Sequence, residues 1–433
     1  MFVYYLDEQG LLRYEMIQAQ QEGKDISGID ENLQGEAALL AIDEIQKRPT
    51  VPGYKYDEPN DLEEIRKRRP KERWQGKKAI DKKELADRIY GAWLGRAAGC
   101  WLGKPWEGYG FVHGWKGIRP FLEELNEYPL NRYIDLDLDD KFLDKHGIFP
   151  ELKGYRYDQF DGMPEDDDMN YPVIGLVVLE RHGRNFTSID AANVWMDYLP
   201  VLRTCTAERV AYRNWLNGIG PNESGFYRNP YREFIGAQIR ADFWGYINPG
   251  DPETAAEYAY RDAATTHTKN GIYGEMFIAA ALAVALVSDS VDEVIAAGLG
   301  EIPENCRLAE AIRDIVKRAR SENDFENILD YIITTYNYYD PVHTINNALI
   351  VVAALIYGKK DYSKTVGIAV MGGWDADCNG ATAGSIAGAM VGAKAIPEHW
   401  LKPMNDILNT GVQGYNRVKL SDLAKKTLDL VRE

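Results

Sequence analysis

Gly91-Ala92-Trp93-Leu94-Gly95-Arg96-Ala97-Ala98-Gly99-Cys100-Trp101-Leu102-Gly103 and Gly380-Ala381-Thr382-Ala383-Gly384-Ser385-Ile386-Ala387-Gly388-Ala389-Met390-Val391-Gly392 decide the fold. Each stretch repeats glycine at every fourth position, and that spacing lines the glycines along one helix face. An interior glycine costs a helix ~1 kcal/mol relative to alanine. Two such stripes therefore predict two tightly packed central helices, one arrangement being stripe against stripe. Neither segment reaches the ~20 apolar residues of a bilayer span, which excludes the membrane use of small-residue stripes.

Outward from these helices, Ala-, Leu- and Ile-rich stretches at helical spacing alternate with Gly, Pro and Asp, and few runs show a strand period. An all-α fold is predicted, with residues 84–433 forming one domain. Residues 1–83 read as an N-terminal charged extension, partly helical, whose basic run Arg66 to Arg73 is interleaved with acids and reads as a charged helix face. The Tyr-, Asp- and Gly-rich stretch 108–161 reads as an irregular excursion. Its Asp135-Leu136-Asp137-Leu138-Asp139 opens like a calcium loop, but Asp140 stands where the loop needs Gly and His146 where it needs Glu, which excludes an EF-hand.

The chain has 433 residues, with 50 Lys plus Arg against 67 Asp plus Glu, a formal charge of −17. That balance excludes a nucleic-acid or anionic-membrane partner, since phosphate backbones demand a basic face. The opening residues lack a basic stretch followed by an apolar core, so no secretory signal is read. Four dispersed cysteines suggest neither a disulfide scaffold nor a zinc cluster. The expected compartment is the cytoplasm.

Some of the acids are gathered. Glu165-Asp166-Asp167-Asp168 precedes an apolar helix, and Asp375-Ala376-Asp377-Cys378 opens the second glycine-striped helix behind Gly372-Gly373-Trp374. Clustered buried carboxylates are costly unless a cation neutralises them. Oxygen-rich sets without paired His or Cys suit Mg²⁺, Mn²⁺ or Ca²⁺ better than Zn²⁺.

With Ala264-Thr265-Thr266-His267 and the first glycine stretch, these motifs stand in the order found in the ADP-ribosylglycohydrolase family, which the chain resembles over roughly residues 85–425. That family includes dinitrogenase reductase-activating glycohydrolase and the ADP-ribosyl-acceptor hydrolases. The resemblance implies a compact multi-helix orthogonal bundle with a binuclear Mg²⁺ or Mn²⁺ centre. The implied reaction is hydrolysis of an N- or O-glycosidic bond to ribose. Carried over position by position, the metal motifs fall on Glu165, Asp166, Asp167, Asp375, Asp377 and Cys378. Glu107, Glu165 and Asp166 become the candidate catalytic acids. His267, Gly236, Gln238, Tyr273 and Trp374 become substrate contacts.

This chain departs from the family pattern in three places. Glu165 and Cys378 replace hydroxyl ligands, and Cys100 stands where many members carry Asp. The phosphate-contacting segment appears as Ile235-Gly236-Ala237-Gln238-Ile239-Arg240, without its Asn. Arg209, Arg213, Arg228 and Arg232 are nearby replacements for anion contacts, though surface ion pairing is the expected role. The leading reading is a metal-dependent glycohydrolase for a small-molecule or ADP-ribosylated substrate. One alternative is an N-ribosyl hydrolase for a nucleoside-like or other small ribosyl substrate. The other is a catalytically silent, crystallin-like binding or structural protein.

Overall fold

The glycine stripes face each other. In the computed structural model, which describes residues 5–76, 80–147 and 152–431, the helices Lys82–Gly103 and Ala376–Val391 lie antiparallel. Gly91 opposes Gly388, Gly95 opposes Gly384 and Gly99 opposes Gly380. A Cβ on Gly91 would lie 2.5 Å from the Gly388 carbonyl oxygen. No side chain fits between the two backbones, and the helix-propensity cost of the stripe is offset by this contact.

Three more helices pack around this pair: Asn270–Ala285, Thr344–Gly358 and Tyr362–Met371. Every residue of Asn270–Ala285 is buried. It is apolar on nearly all sides, as an enclosed helix has to be. His343 caps Thr344–Gly358, its Nδ1 accepting from the Ile345 N–H at 3.1 Å. Among the described residues the only paired strands are Ile407–Asn409 and Arg417–Lys419, an antiparallel ribbon with Leu408 opposite Val418. The fold is all-α, and no described helix is long and apolar enough to cross a membrane.

Residues 108–161 are less irregular than their sequence suggests. They carry most of the helix Glu107–Glu124, bent at Gly114 where φ is 55°, and the helix Asp140–His146. The glycines that dilute the helical pattern there have a structural use. A Cβ on Gly110 would lie 2.7 Å from the Trp374 carbonyl oxygen, and one on Gly373 would lie 2.6 Å from the Gly114 backbone. This stretch is thereby held against the loop that carries Asp375.

The N-terminal segment is also more deeply engaged than a solvated extension. Its helices Glu8–Gln21 and Gly35–Lys47 bury Leu11, Leu12, Ile42 and Ile45 against Val210, Tyr231 and Phe234. Arg232, fully buried, meets Glu15 and Glu22 at 2.7 Å each, and Arg307 meets Glu58 at 2.8 Å. Such pairs are costly to break one-sidedly, because a buried charge is left without its partner. The basic run is only partly a helix face: the helix Leu62–Lys67 ends within it, and Arg66, Arg69 and Arg73 pair with Glu257, Glu253 and Glu301, the last of these acids being buried. The parts of these two segments at 1–4, 77–79 and 148–151 lie outside the described residues.

Candidate active site and metal centre

Two helix N-termini bring the acid clusters together. Asp166 caps the helix Asp167–His182, its Oδ1 accepting from the Asp168 N–H at 2.9 Å. Asp375 precedes Ala376–Val391, where positive φ at Gly373 (73°) and Trp374 (52°) turns the chain tightly into the helix. Three groups of potential ligand atoms result, each within 4.8 Å: Cys100, Asp166 and Asp168; Asp168, Asp377 and Cys378; and Glu107, Asp375 and Asp377.

Two cationic side chains enter this centre. Arg96, fully buried, is divided between Asp168 at 3.0 Å and Asp242 at 2.9 Å. Lys104 donates to Asp166 Oδ2. Among the described residues Glu107, Asp167, Asp375 and Asp377 form no ion pair, and Asp375 Oδ1 is buried with no hydrogen-bond partner. Four uncompensated carboxylates match the charge of two divalent cations. The donors are chiefly hard oxygens, with the thiols of Cys100 and Cys378 as the soft exceptions.

The electrostatics follow from crowding. Burial, reinforced by Asp166 and Asp377, pushes Asp167 up to about 8. Burial and neighbouring carboxylates likewise raise Glu107, Asp375 and Asp377. Burial also opposes ionisation of Asp166, but the Lys104 ammonium outweighs it and holds this carboxyl below its ordinary value. Shifts of this kind mark sites built to hold charge that water does not solvate.

The centre opens into a cavity of about 510 Å³, a size suited to a small-molecule ligand. Glu107, Asp167, Asp375 and Cys378 line it, as does Gly236. Sequence reasoning missed Glu208 and Asp340, which also line it. Glu208 meets Arg240 at 2.6 Å, and burial raises its carboxyl to about 6 against the pull of that arginine. No local motif marks either residue, because each reaches the cavity from a separate helix or turn.

Other candidates sit elsewhere. Glu165 turns away from the acid cluster toward Arg203 at 3.1 Å and Asn170 at 3.3 Å. Asp168, which the motif carry-over left out, belongs to two of the ligand groups. Tyr273 is fully buried and donates to the Pro59 carbonyl, away from the cavity lining. His267 is buried with Nδ1 2.6 Å from Thr266 Oγ1, while its Nε2 and the side-chain amide of Gln238 have no partner. Neither His267, Gln238 nor Trp374 lines the cavity. Of the four arginines proposed as anion contacts, Arg232 is no surface residue. Arg228 pairs with Asp43, and Arg209 and Arg213 bond to Thr204 and Asn214.

An all-α fold with a carboxylate centre at paired helix N-termini is what the motifs led us to expect. A family model described as ADP-ribosylglycohydrolase matches residues 81–433, and the chain belongs to that family of glycosidase-type hydrolases. It is also similar in fold to a solved structure described as an "ADP-ribosylglycohydrolase-related protein complex". That match has a TM-score of 0.51 and 22% identity, covering 80% of this chain and 98% of the other. No curated protein sequence matches the chain significantly. The family match begins at Asp81, the cap of the first glycine-striped helix, so the N-terminal segment lies outside it.

Proposed function

We propose that this protein is a metal-dependent glycohydrolase that cleaves a ribosyl glycosidic bond with two Mg²⁺ or Mn²⁺ ions. The observation that supports it best is the group of Glu107, Asp375 and Asp377 ligand atoms without ion-pair partners, with the orphaned Asp375 Oδ1 among them, of which Glu107 and Asp375 line a ligand-sized cavity. Asp166, Asp168, Asp375 and Asp377, which belong to the ligand groups, would hold the cations, with Asp168 oriented by Arg96 and Asp167 beside them on the cavity lining. When bound, the cations would supply chelation of ribose hydroxyls and a lowered pKa for a coordinated water.

The rest belongs to the protein. A ribosyl bond breaks through an oxocarbenium-like transition state, and the carboxylate-rich lining stabilises that developing positive charge. Glu107 faces the cavity and takes the water's proton at its carboxylate, a role its position favours over Glu165, which is tied to Arg203. The apolar wall of Ile235, Ile239 and Val342 limits competing water.

The experiment is release of ribose from ribosyl substrates by the full-length protein, with and without Mn²⁺. Activity is expected only with metal, and Asp166→Ala and Asp377→Ala are each expected to abolish both Mn²⁺ binding in calorimetry and ribose release. Full activity of chelator-treated protein would overturn the proposal.

A further inference from the structure

Besides the acid cluster, the cavity wall draws on the N-terminal segment through Asp7 and Tyr14, on residues 234–236 and on the turn 340–342. The last two are joined by backbone, since the Ile235 N–H donates to the Val342 carbonyl at 2.9 Å and the Thr344 N–H to the Glu233 carbonyl at 3.0 Å. The turn 340–342 leads through His343 into the helix Thr344–Gly358. Asn347, in the first turn of that helix, is fully buried.

The side-chain amide of Asn347 makes four hydrogen bonds, the full complement of its donors and lone pairs. Its Oδ1 accepts from the Asp375 N–H at 3.3 Å and from Asn379 Nδ2 at 2.8 Å, and its Nδ2 donates to the carbonyls of Pro341 at 2.7 Å and His343 at 2.9 Å. A flipped amide would set donor against donor and acceptor against acceptor, so this network fixes the orientation. Asn379 extends the clasp by donating to the Gly373 carbonyl at 3.2 Å. The loop 373–375 is thus held at both ends, across Gly373 and Trp374, whose φ values of 73° and 52° are positive. A non-glycine residue such as Trp374 keeps that conformation only where its surroundings over-determine it.

The Oδ1 of Asp375 is buried without a hydrogen-bond partner, and this side chain offers a ligand atom within 4.8 Å of those of Glu107 and Asp377. The aim of its carboxylate depends on the backbone that carries it, and Asn347 takes the N–H of that backbone. We infer that Asn347 is a positioning residue of the metal centre, one that aims Asp375 at a bound cation and fastens the metal loop to the cavity wall through Pro341 and His343. The assignment rests on the metal-dependent reading above and goes beyond it, because Asn347 lies outside both the ligand groups and the cavity lining. Groups that hold a ligand in place govern metal affinity, since a ligand free to turn must be ordered when the metal binds. Asn346, next in the chain and equally buried, supplies the comparison. Its Nδ2 donates to the Asp340 carbonyl at 3.0 Å and its Oδ1 has no partner, so its side chain grips the wall and not the metal loop.

Calorimetric titration of the full-length protein with Mn²⁺ tests this. Asn347→Leu and the smaller Asn347→Ser both remove the amide that holds Asp375, so one folded variant suffices. Each is expected to weaken Mn²⁺ binding by about tenfold or more, the scale of lost support behind a metal ligand. Asn347→Asp keeps an acceptor at the same place and should bind Mn²⁺ within about threefold of the parent protein, as should Asn346→Leu, which disturbs the same helix turn. Parent-like binding by Asn347→Leu or Asn347→Ser, an equal loss in Asn346→Leu, or an equal loss in Asn347→Asp would each overturn the assignment. The two proposals fail in different ways. Absence of Mn²⁺ binding by the parent protein removes the metal reading itself, whereas a parent that binds Mn²⁺ beside Asn347 variants that bind it equally well removes the positioning role alone.

Discussion

A Cβ placed on Gly91 would sit 2.5 Å from the carbonyl oxygen of Gly388 and 2.7 Å from the backbone nitrogen of Ala393. Because both obstacles are backbone, relief requires a shift of one central helix against the other. Gly91→Ala is therefore expected to destabilise the protein by about 3 kcal/mol, at the upper end of overpacking costs. Gly220→Ala, at a position with nothing within 4 Å and ordinary backbone angles, should stay within about 0.5 kcal/mol. Denaturant melts of the two variants beside the parent protein check this. Equal midpoints would show that the stripe is dispensable.

The legibility of the sequence follows the same division. The glycine stripes and the two acid runs are contiguous, so their spacing carried the central helices and most of the carboxylate centre. Lys104, Glu208 and Asp340 reach the centre or the cavity wall from separate elements, and no local pattern reports that approach. The N-terminal segment reads as a charged extension because the partners of its acids are distant in the chain. Glu15 and Arg232 are 217 residues apart. Glu165 stood beside true cluster members but points to Arg203, a direction that adjacency alone does not specify.

Lys104 supplies a second test. Its ammonium lies on Asp166 and is held protonated, against the effect of burial, by Asp166 and Asp377. A divalent cation bound by the same carboxylates must tolerate or displace that charge. Lys104→Met is expected to tighten Mn²⁺ binding by about tenfold at low salt, while destabilising the metal-free protein by about 2 kcal/mol through the unpaired Asp166. Calorimetric titration and melts in chelator read the two effects separately. Weakened Mn²⁺ binding would mean that Lys104 supports the metal instead of opposing it.

Acid should loosen the N-terminal wall. Burial opposes ionisation of Glu22, but Arg232 and Lys269 outweigh it and bring its carboxyl from 4.5 to about 2, and Arg307 and His343 likewise hold Glu233 well below its ordinary value. Groups with depressed folded pKa values contribute stability above the unfolded pKa and lose it as pH falls through the folded one. For Glu22 the window runs from about pH 4.5 down to about 2 and carries on the order of 3 kcal/mol. Glu15 gives part of this back, since burial raises it despite Arg232. Melting temperature measured from pH 6 to pH 3 should fall steeply, and Glu22→Gln should flatten that slope. A parallel slope in the variant would remove Glu22 from the account.

Cys378 offers a test of the metal preference of the proposed centre. Its thiol lies within 4.8 Å of Asp168 and Asp377 ligand atoms, lines the cavity, and is pushed up by burial and the surrounding aspartates. A protonated thiol is a poor donor to a hard ion, whereas a soft ion displaces the proton and binds sulfur. Cys378→Ser puts a hydroxyl in place of the thiol at nearly the same volume. Mg²⁺ affinity is expected to rise several-fold and Cd²⁺ affinity to fall by at least about tenfold. Paired titrations with the two ions make the comparison internal, because a general disturbance of the site would weaken both. If both affinities stay unchanged, the sulfur lies outside the coordination sphere, and the second ligand group reduces to Asp168 and Asp377.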